Sequence, residues 1–195
     1  MSEVVWLVRH ASTAWTGQRW CGRTDLPPSQ AGREEAERLA GRLAEVLPRG
    51  AEVVSSSARR ARATAAPIAR ALNVGYRIDE ALREVDFGRA EGLGWVDLER
   101  GLPDLARDIA AGRSAIDWPA GDSAAETEAR ALGIWLDVEQ ATASDLVLVT
   151  HGGTIRCLLS VAGVEGPMEM VPPASATPLR RLDGRWFIPG PSVAG

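Results

Sequence analysis

A chain of 195 residues, 45% apolar and 25% charged, falls within the range of one globular domain. Its net charge of −4 excludes the basic balance that general binding to nucleic acid or to an anionic membrane surface requires. All 22 basic residues are arginine, which removes Schiff-base lysine chemistry and the GK[ST] phosphate loop; two histidines and two cysteines without a CxxC pair are too few for a structural zinc site.

The opening MSEVVWLV lacks the basic region and long apolar core of a signal peptide, and no apolar run approaches transmembrane length. A reduced, cytoplasmic protein with no membrane partner is the expectation. Glu3–Val8 is continuously apolar, which predicts a strand buried on both faces of a parallel sheet. A turn-rich loop follows. Ala36, Leu39, Ala40, Leu43 and Leu47 then share one helical stripe, with Ser29 as N-cap and Pro48–Gly50 as the stop. Ala51–Ser55 reads as a second buried strand, and Ala61, Ala65, Ile68 and Leu72 mark a second helix.

A short extended piece at Tyr76–Ile78 leads into LREVDFGRAEG, and residues 92–142 read as mainly helical with a break around Trp118–Ser123. Asp145–Val149 is a third buried strand, followed by THGG and the apolar helix candidate TIRCLLSVAG. Two strand-like runs around Asp183-Gly184 form a hairpin signal, and the final PGPSVAG is expected to fray. This alternation predicts an α/β fold: a three-layer α/β/α sandwich with a mostly parallel sheet and an antiparallel edge. One domain spans 1–195, with a small helical lid at about 93–122.

The two histidines, His10 and His151, each follow a predicted buried strand. In open α/β sheets ligands bind beyond the carboxyl ends of the strands, so both imidazoles should reach one rim. Two unrelated loop histidines would not be expected to share that topological position. Arg9 adjoins His10, Gly152-Gly153 open a helix behind His151, and a third strand end supplies Arg59, Arg60 and Arg62. Arg60 precedes the apolar helical stripe and is the one expected to point along the sheet edge. Arginines, imidazoles and a helix N-terminus converging there suit a dianion, with phosphate the obvious candidate.

These segments resemble the histidine phosphatase superfamily, the phosphoglycerate-mutase-like proteins, over nearly the whole length. Arg9-His10-Ala11-Ser12-Thr13 stands where the family has RHGET, and Gly22, Asp25, Pro27 and Gly32 match its G-x-x-D-x-P-L-T-x-x-G. Ser56, Arg60, Ala61, Thr64 and Ala65 match S-x-x-x-R-A-x-x-T-A; Leu82, Glu84, Asp86, Phe87, Gly88, Glu91 and Gly92 match L-x-E-x-D-F-G-x-x-E-G; and Thr150–Gly153 match T/S-H-G-G. Departures are Ala11 for glycine, Ser12 for glutamate, Thr16 where asparagine often holds phosphate, and Asp122 where many members have the glutamate of G-E-S.

The resemblance implies that His10 is the nucleophile that becomes phosphohistidine. Arg9, Arg60, Thr16, Gly152 and a protonated His151 would bind the phosphate, with no metal and no cofactor. Glu84 would protonate the leaving group and later activate water; the residues themselves leave Asp86 and Glu91 as alternative carboxylates. The substrate would be a small-molecule phosphomonoester. The compact stretch between Glu84 and His151 favours hydrolysis over phosphoglycerate mutation, and the segment resembles α-ribazole phosphatases and broad-specificity members. A phosphoglycerate mutase and a non-catalytic phospholigand-binding member are the alternatives, and a homodimer stands open beside a monomer. Trp15, Trp20, Trp95 and Trp118 are read as ordinary packing or as an aromatic wall beside the site.

Overall fold

The computed structural model of the chain describes residues 4–113, 115–140, 145–164 and 171–195. Among the described residues seven strands form one sheet: Val4–Arg9 (β1), Glu52–Ser55 (β2), Tyr76–Ile78 (β3), Leu146–Thr150 (β4), Ser175–Leu182 (β5), Arg185–Phe187 (β6) and Val193–Ala194 (β7). Their order is β3-β2-β4-β1-β5-β6, with β7 also on β5. The first four run parallel, and β5 returns antiparallel to β1 and carries β6 and β7 antiparallel. The expected α/β sandwich with a mostly parallel sheet is the architecture observed.

The unbroken apolar run of β1 has a direct cause: both faces of the strand are covered. Val4, Trp6 and Val8 enter the core shared with Leu39, Leu43 and Ile68 of the helices Gln30–Val46 (α1) and Arg59–Leu72 (α2). Val5 and Leu7 enter the opposite core with Trp135 and Leu158, from the helices Ala124–Gln140 (α5) and Gly152–Val161 (α6). Ser29 caps α1 as expected, its hydroxyl accepting the Gly32 N–H at 3.0 Å. Helix α2 has no cap from its own N-cap residue, Ala58; Asp25 reaches over from the loop between β1 and α1 and accepts the Arg59 N–H at 2.7 Å.

The hairpin at Asp183-Gly184 is present, with both residues at positive φ (51° and 78°), as a two-residue type I′ connection requires. The expectation of a frayed C-terminus is overturned. Strand β6 occupies only Arg180–Leu182 of β5, which leaves Ser175 and Ala176 with free edge groups. Val193–Ala194 pair with them, and the Gly195 N–H donates to the Ala174 carbonyl at 2.8 Å.

Within residues 93–122, Trp95–Gly101 (α3) and Pro103–Ala110 (α4) enclose a separate small core of Val85, Phe87, Ala90, Leu98, Leu105 and Ala106. Trp20, Phe87 and Trp118 stack within it, with ring centroids 4.5 to 5.3 Å apart. Trp20 and Trp118 are therefore packing residues, while Trp95 is 42% exposed. Among the described residues no helix is long and apolar enough to cross a membrane.

Candidate active site

The central strands β1 and β4 run side by side and parallel, so their carboxyl ends deliver His10 and His151 to one rim. The His10 N–H donates to the Thr150 carbonyl at 2.9 Å, and the two rings stand edge to face with centroids 5.0 Å apart. Both are buried. His10 Nδ1 lies 2.8 Å from the Ala11 carbonyl. A carbonyl only accepts, so Nδ1 carries the proton and Nε2 is left with its lone pair. Burial, then the charges of Arg60 and Arg9, push the His10 pKa down to about 3. The ring is neutral and its free nitrogen nucleophilic at any physiological pH.

His151 is oriented from both sides. Arg60 Nε donates to Nδ1 at 3.2 Å, which leaves the ring proton on Nε2, 2.9 Å from the Ser56 hydroxyl. Burial, then His10 and the neighbouring arginines, hold its pKa well below the ordinary value. The expectation of a protonated His151 is thereby corrected. A desolvated ring that already accepts a hydrogen bond from a cation has no site for a second proton.

Arg60 is 1% exposed and does point along the rim. Besides His151 it donates to the carbonyls of Thr24 (2.8 Å), Gly22 (2.8 Å) and Cys21 (3.3 Å). Arg9 donates through Nη1 to the Val171 carbonyl at 2.6 Å. Its buried Nε has no hydrogen-bond partner among the described residues, an open donor in a site built of cations. Burial lowers the Arg9 pKa and the nearby Glu84 acts in the opposite sense.

Glu84 joins this group by capping α6. Oε2 accepts the Gly153 N–H at 3.1 Å, and Oε1 accepts the Thr154 and Val85 N–H groups, each at 3.0 Å. The expectation that Gly152-Gly153 present the helix N-terminus to a ligand is thus narrowed to Gly152. The N–H groups of residues 153 and 154 belong to Glu84. The reason for glycine at 153 is also different from the expected one: a Cβ there would sit 2.6 Å from Glu84 Oε1. Thr16 is not drawn into the cluster by any hydrogen bond; its hydroxyl accepts the Thr13 N–H at 2.8 Å and closes a turn.

The carboxylates that the sequence left as alternatives have other partners. Asp86 accepts the Gly88 N–H at 2.9 Å and faces Arg23. Glu91 accepts N–H groups from Gly22, Arg23 and Thr24. Sequence reasoning gave no role to Ser56, although it closes the third strand end on the same rim and is a hydroxyl. Glu35 had no local signal at all: it reaches Ser12 from α1, across a long loop.

Comparison with known proteins settles the kinship. Residues 5–189 match the family model of the histidine phosphatase superfamily (branch 1). The chain is 30% identical over 166 residues to a putative phosphoserine phosphatase 2 of Hydrogenobacter thermophilus, covering 83% of this chain and 80% of that one. A phosphoglycerate mutase from Thermus thermophilus superposes with a TM-score of 0.73 at 32% identity, over 95% of this chain and 96% of that one. A mycobacterial glucosyl-3-phosphoglycerate phosphatase superposes with a TM-score of 0.81 at 25% identity, over 97% and 98% of the two chains. The chain belongs to the histidine phosphatase superfamily.

The positions at which it departs from the superfamily pattern are each accommodated locally. Ala11 is fully buried, is not among the residues at positive φ, and donates its N–H to Thr64 Oγ1 at 3.0 Å. Ser12 donates its N–H and hydroxyl to the two Glu35 oxygens, at 2.9 and 3.0 Å. Asp122 accepts the Asp86 N–H at 3.0 Å and lies 3.1 Å from Arg130.

The buried neutral imidazoles set an acid dependence for this member of the histidine phosphatase superfamily. His10 titrates near 6.5 once unfolded but only at about 3 when folded, so below pH 6.5 the unfolded chain binds the extra proton. Stability is therefore complete above that value and falls as pH drops toward about 3, with His151 acting in the same direction. Denaturant titrations at pH 7.5 and 5.0 should show the loss. In His10→Gln the loss should be smaller by about 1.4 kcal/mol for each pH unit below 6.5. An unchanged difference would show that His10 is not held neutral.

Proposed function

We propose that the protein is a phosphomonoester hydrolase that works without a metal ion, through phosphohistidine on His10 Nε2. The carrying observation is the state of His10: one ring nitrogen is tied to the Ala11 carbonyl, and the other is free among Arg9, Arg60 and His151. In this reading Nε2 attacks phosphorus in line while the ester P–O bond breaks. Arg9, Arg60 and the Gly152 N–H meet the charge on the equatorial oxygens. A phosphate oxygen is a stronger acceptor than a hydroxyl, so it draws the His151 Nε2–H away from Ser56. The ester binds as its monoanion; Glu84 takes that proton and passes it to the departing alkoxide as the P–O bond breaks, then takes one from the water that attacks phosphorus and breaks the P–N bond.

Among the described residues no group of three or more His, Cys, Asp or Glu side chains is gathered as a metal ion would need. The names of the relatives denote small phosphate esters, which supports a small-molecule substrate. Two free, half-buried thiols, Cys21 and Cys157, support a reduced compartment such as the cytoplasm.

The test is phosphate release, with a chelator present, from phosphoserine, phosphoglycerates, glucosyl-3-phosphoglycerate, α-ribazole phosphate and an aryl phosphate. Chelator-resistant release from at least one of them is expected. Interconversion of phosphoglycerates without release of inorganic phosphate would assign a mutase instead. Tight phosphate binding with no turnover on any ester would assign a binding protein.

A further inference from the structure

The three loop carbonyls that hold Arg60 have a counterpart on the other edge of the same loop. Glu91 Oε2 accepts the N–H groups of Gly22 (2.9 Å) and Arg23 (3.2 Å), and Oε1 accepts that of Thr24 (3.1 Å). Three successive N–H groups converging on one anion make a backbone nest. With those groups turned toward Glu91, the carbonyls of Cys21 and Gly22, in the same peptide units as the Gly22 and Arg23 N–H groups, face the guanidinium, and the Thr24 carbonyl joins them from the next unit. The fit admits no side chain in between: a Cβ at Gly22 would lie 2.9 Å from Glu91 Oε2 and 2.4 Å from the Val85 carbonyl.

Arg60 is almost wholly buried and no salt bridge to a carboxylate holds it among the described residues, so neutral carbonyls must stabilise its charge. The Gly22 and Arg23 N–H groups share peptide units with the Cys21 and Gly22 carbonyls, so a carboxylate on the N–H side polarises those two units and strengthens two of the three acceptors facing Arg60. Arg60 in turn fixes the ring state of His151 through Nε. Glu91 touches neither imidazole; it acts through the loop.

We propose that Glu91 is a positioning residue for Arg60, holding the 21–24 loop so that its carbonyls keep the guanidinium at the phosphate site and its Nε on His151. The phosphate part of this role rests on the hydrolase reading above; the link from Glu91 to Arg60 does not. The variants are Glu91→Gln, which keeps the shape but replaces an acceptor by an amide donor facing N–H groups, and Glu91→Asp, which keeps the charge. Hydrogen exchange of the Arg60 Nε–H, followed by ¹⁵N-edited NMR, needs no substrate.

Glu91→Gln should speed that exchange at least about tenfold and weaken inorganic phosphate binding by about the same factor. Glu91→Asp should recover most of the protection. In an Arg60→Ala background Glu91→Gln should change phosphate affinity no further. Unchanged Arg60 Nε–H protection in Glu91→Gln would overturn the proposal, as would full additivity with Arg60→Ala. Should Glu91→Gln fail to fold, Glu91→Asp with wild-type stability and an unprotected Arg60 Nε–H would overturn it too. Wild-type protein that neither binds phosphate nor hydrolyses esters would defeat the hydrolase reading alone, since the exchange measurement still decides the link.

Discussion

His10→Ala should lower ester hydrolysis by ~10⁴-fold or more and abolish an acid-labile phosphoenzyme, because only His10 offers a free ring nitrogen at the rim. The geometry discriminates between the two histidines. His151 has both nitrogens engaged, Nδ1 accepting from Arg60 and Nε2 against Ser56, so it has no lone pair with which to attack phosphorus. His10 has one nitrogen engaged, and its depressed pKa keeps the other from being blocked by a proton. The variant should fold, since the His10 backbone remains held by Thr150 and Ala174. Quenching the wild type with labelled substrate should trap label that is stable in alkali and lost in acid, and the variant should trap none. A His10→Ala protein retaining more than about 1% of the rate would refute the nucleophile assignment.

Glu84→Gln should separate esters by their leaving groups. An alkoxide must be protonated as it departs, so alkyl phosphates should lose ~10²- to 10⁴-fold in kcat. A nitrophenolate leaves without help, so a nitrophenyl phosphate should still give a burst of about one product per enzyme. Slow turnover should follow, because water attacking the phosphohistidine has lost its base. A uniform loss on both substrate classes, with no burst, would remove Glu84 from the proton-transfer role. The same substitution touches stability, because Glu84 caps α6 through the Gly153 and Thr154 N–H groups. An amide can accept one of these bonds but sets its own NH₂ against the other, at a cost of about 1 kcal/mol. Thermal unfolding of Glu84→Gln therefore serves as the control for the kinetic result.

What could be read from the chain was what local pattern controls. The apolar runs at β1, β2 and β4 are buried on both faces, and a parallel sheet puts the ends of such strands on one side, which brought His10 and His151 together. Arg60 was legible from its place at the head of an apolar helical stripe. The failures share a different origin, since each depended on a partner distant in sequence. Gly153 reads as a ligand-facing glycine until Glu84 is found against it. His151 reads as a cation until Arg60 is found donating to it. The terminal Val193–Ala194 reads as a tail until the short reach of β6 exposes an open edge on β5.

The order of strands in the sheet also has a consequence for biosynthesis. Strand β1 is made well before its two neighbours, Leu146–Thr150 and Ser175–Leu182, which lie far along the chain. At roughly 5–20 residues per second the ribosome takes on the order of ten seconds or more to supply them. Throughout that interval VVWLV lacks both strand neighbours, and of its native partners only α1 and α2 are available to cover one face. The strand that leads into His10 is thus one the nascent chain must shield for long, and the rim on which His10 and His151 meet forms only after residues 146–182 have emerged.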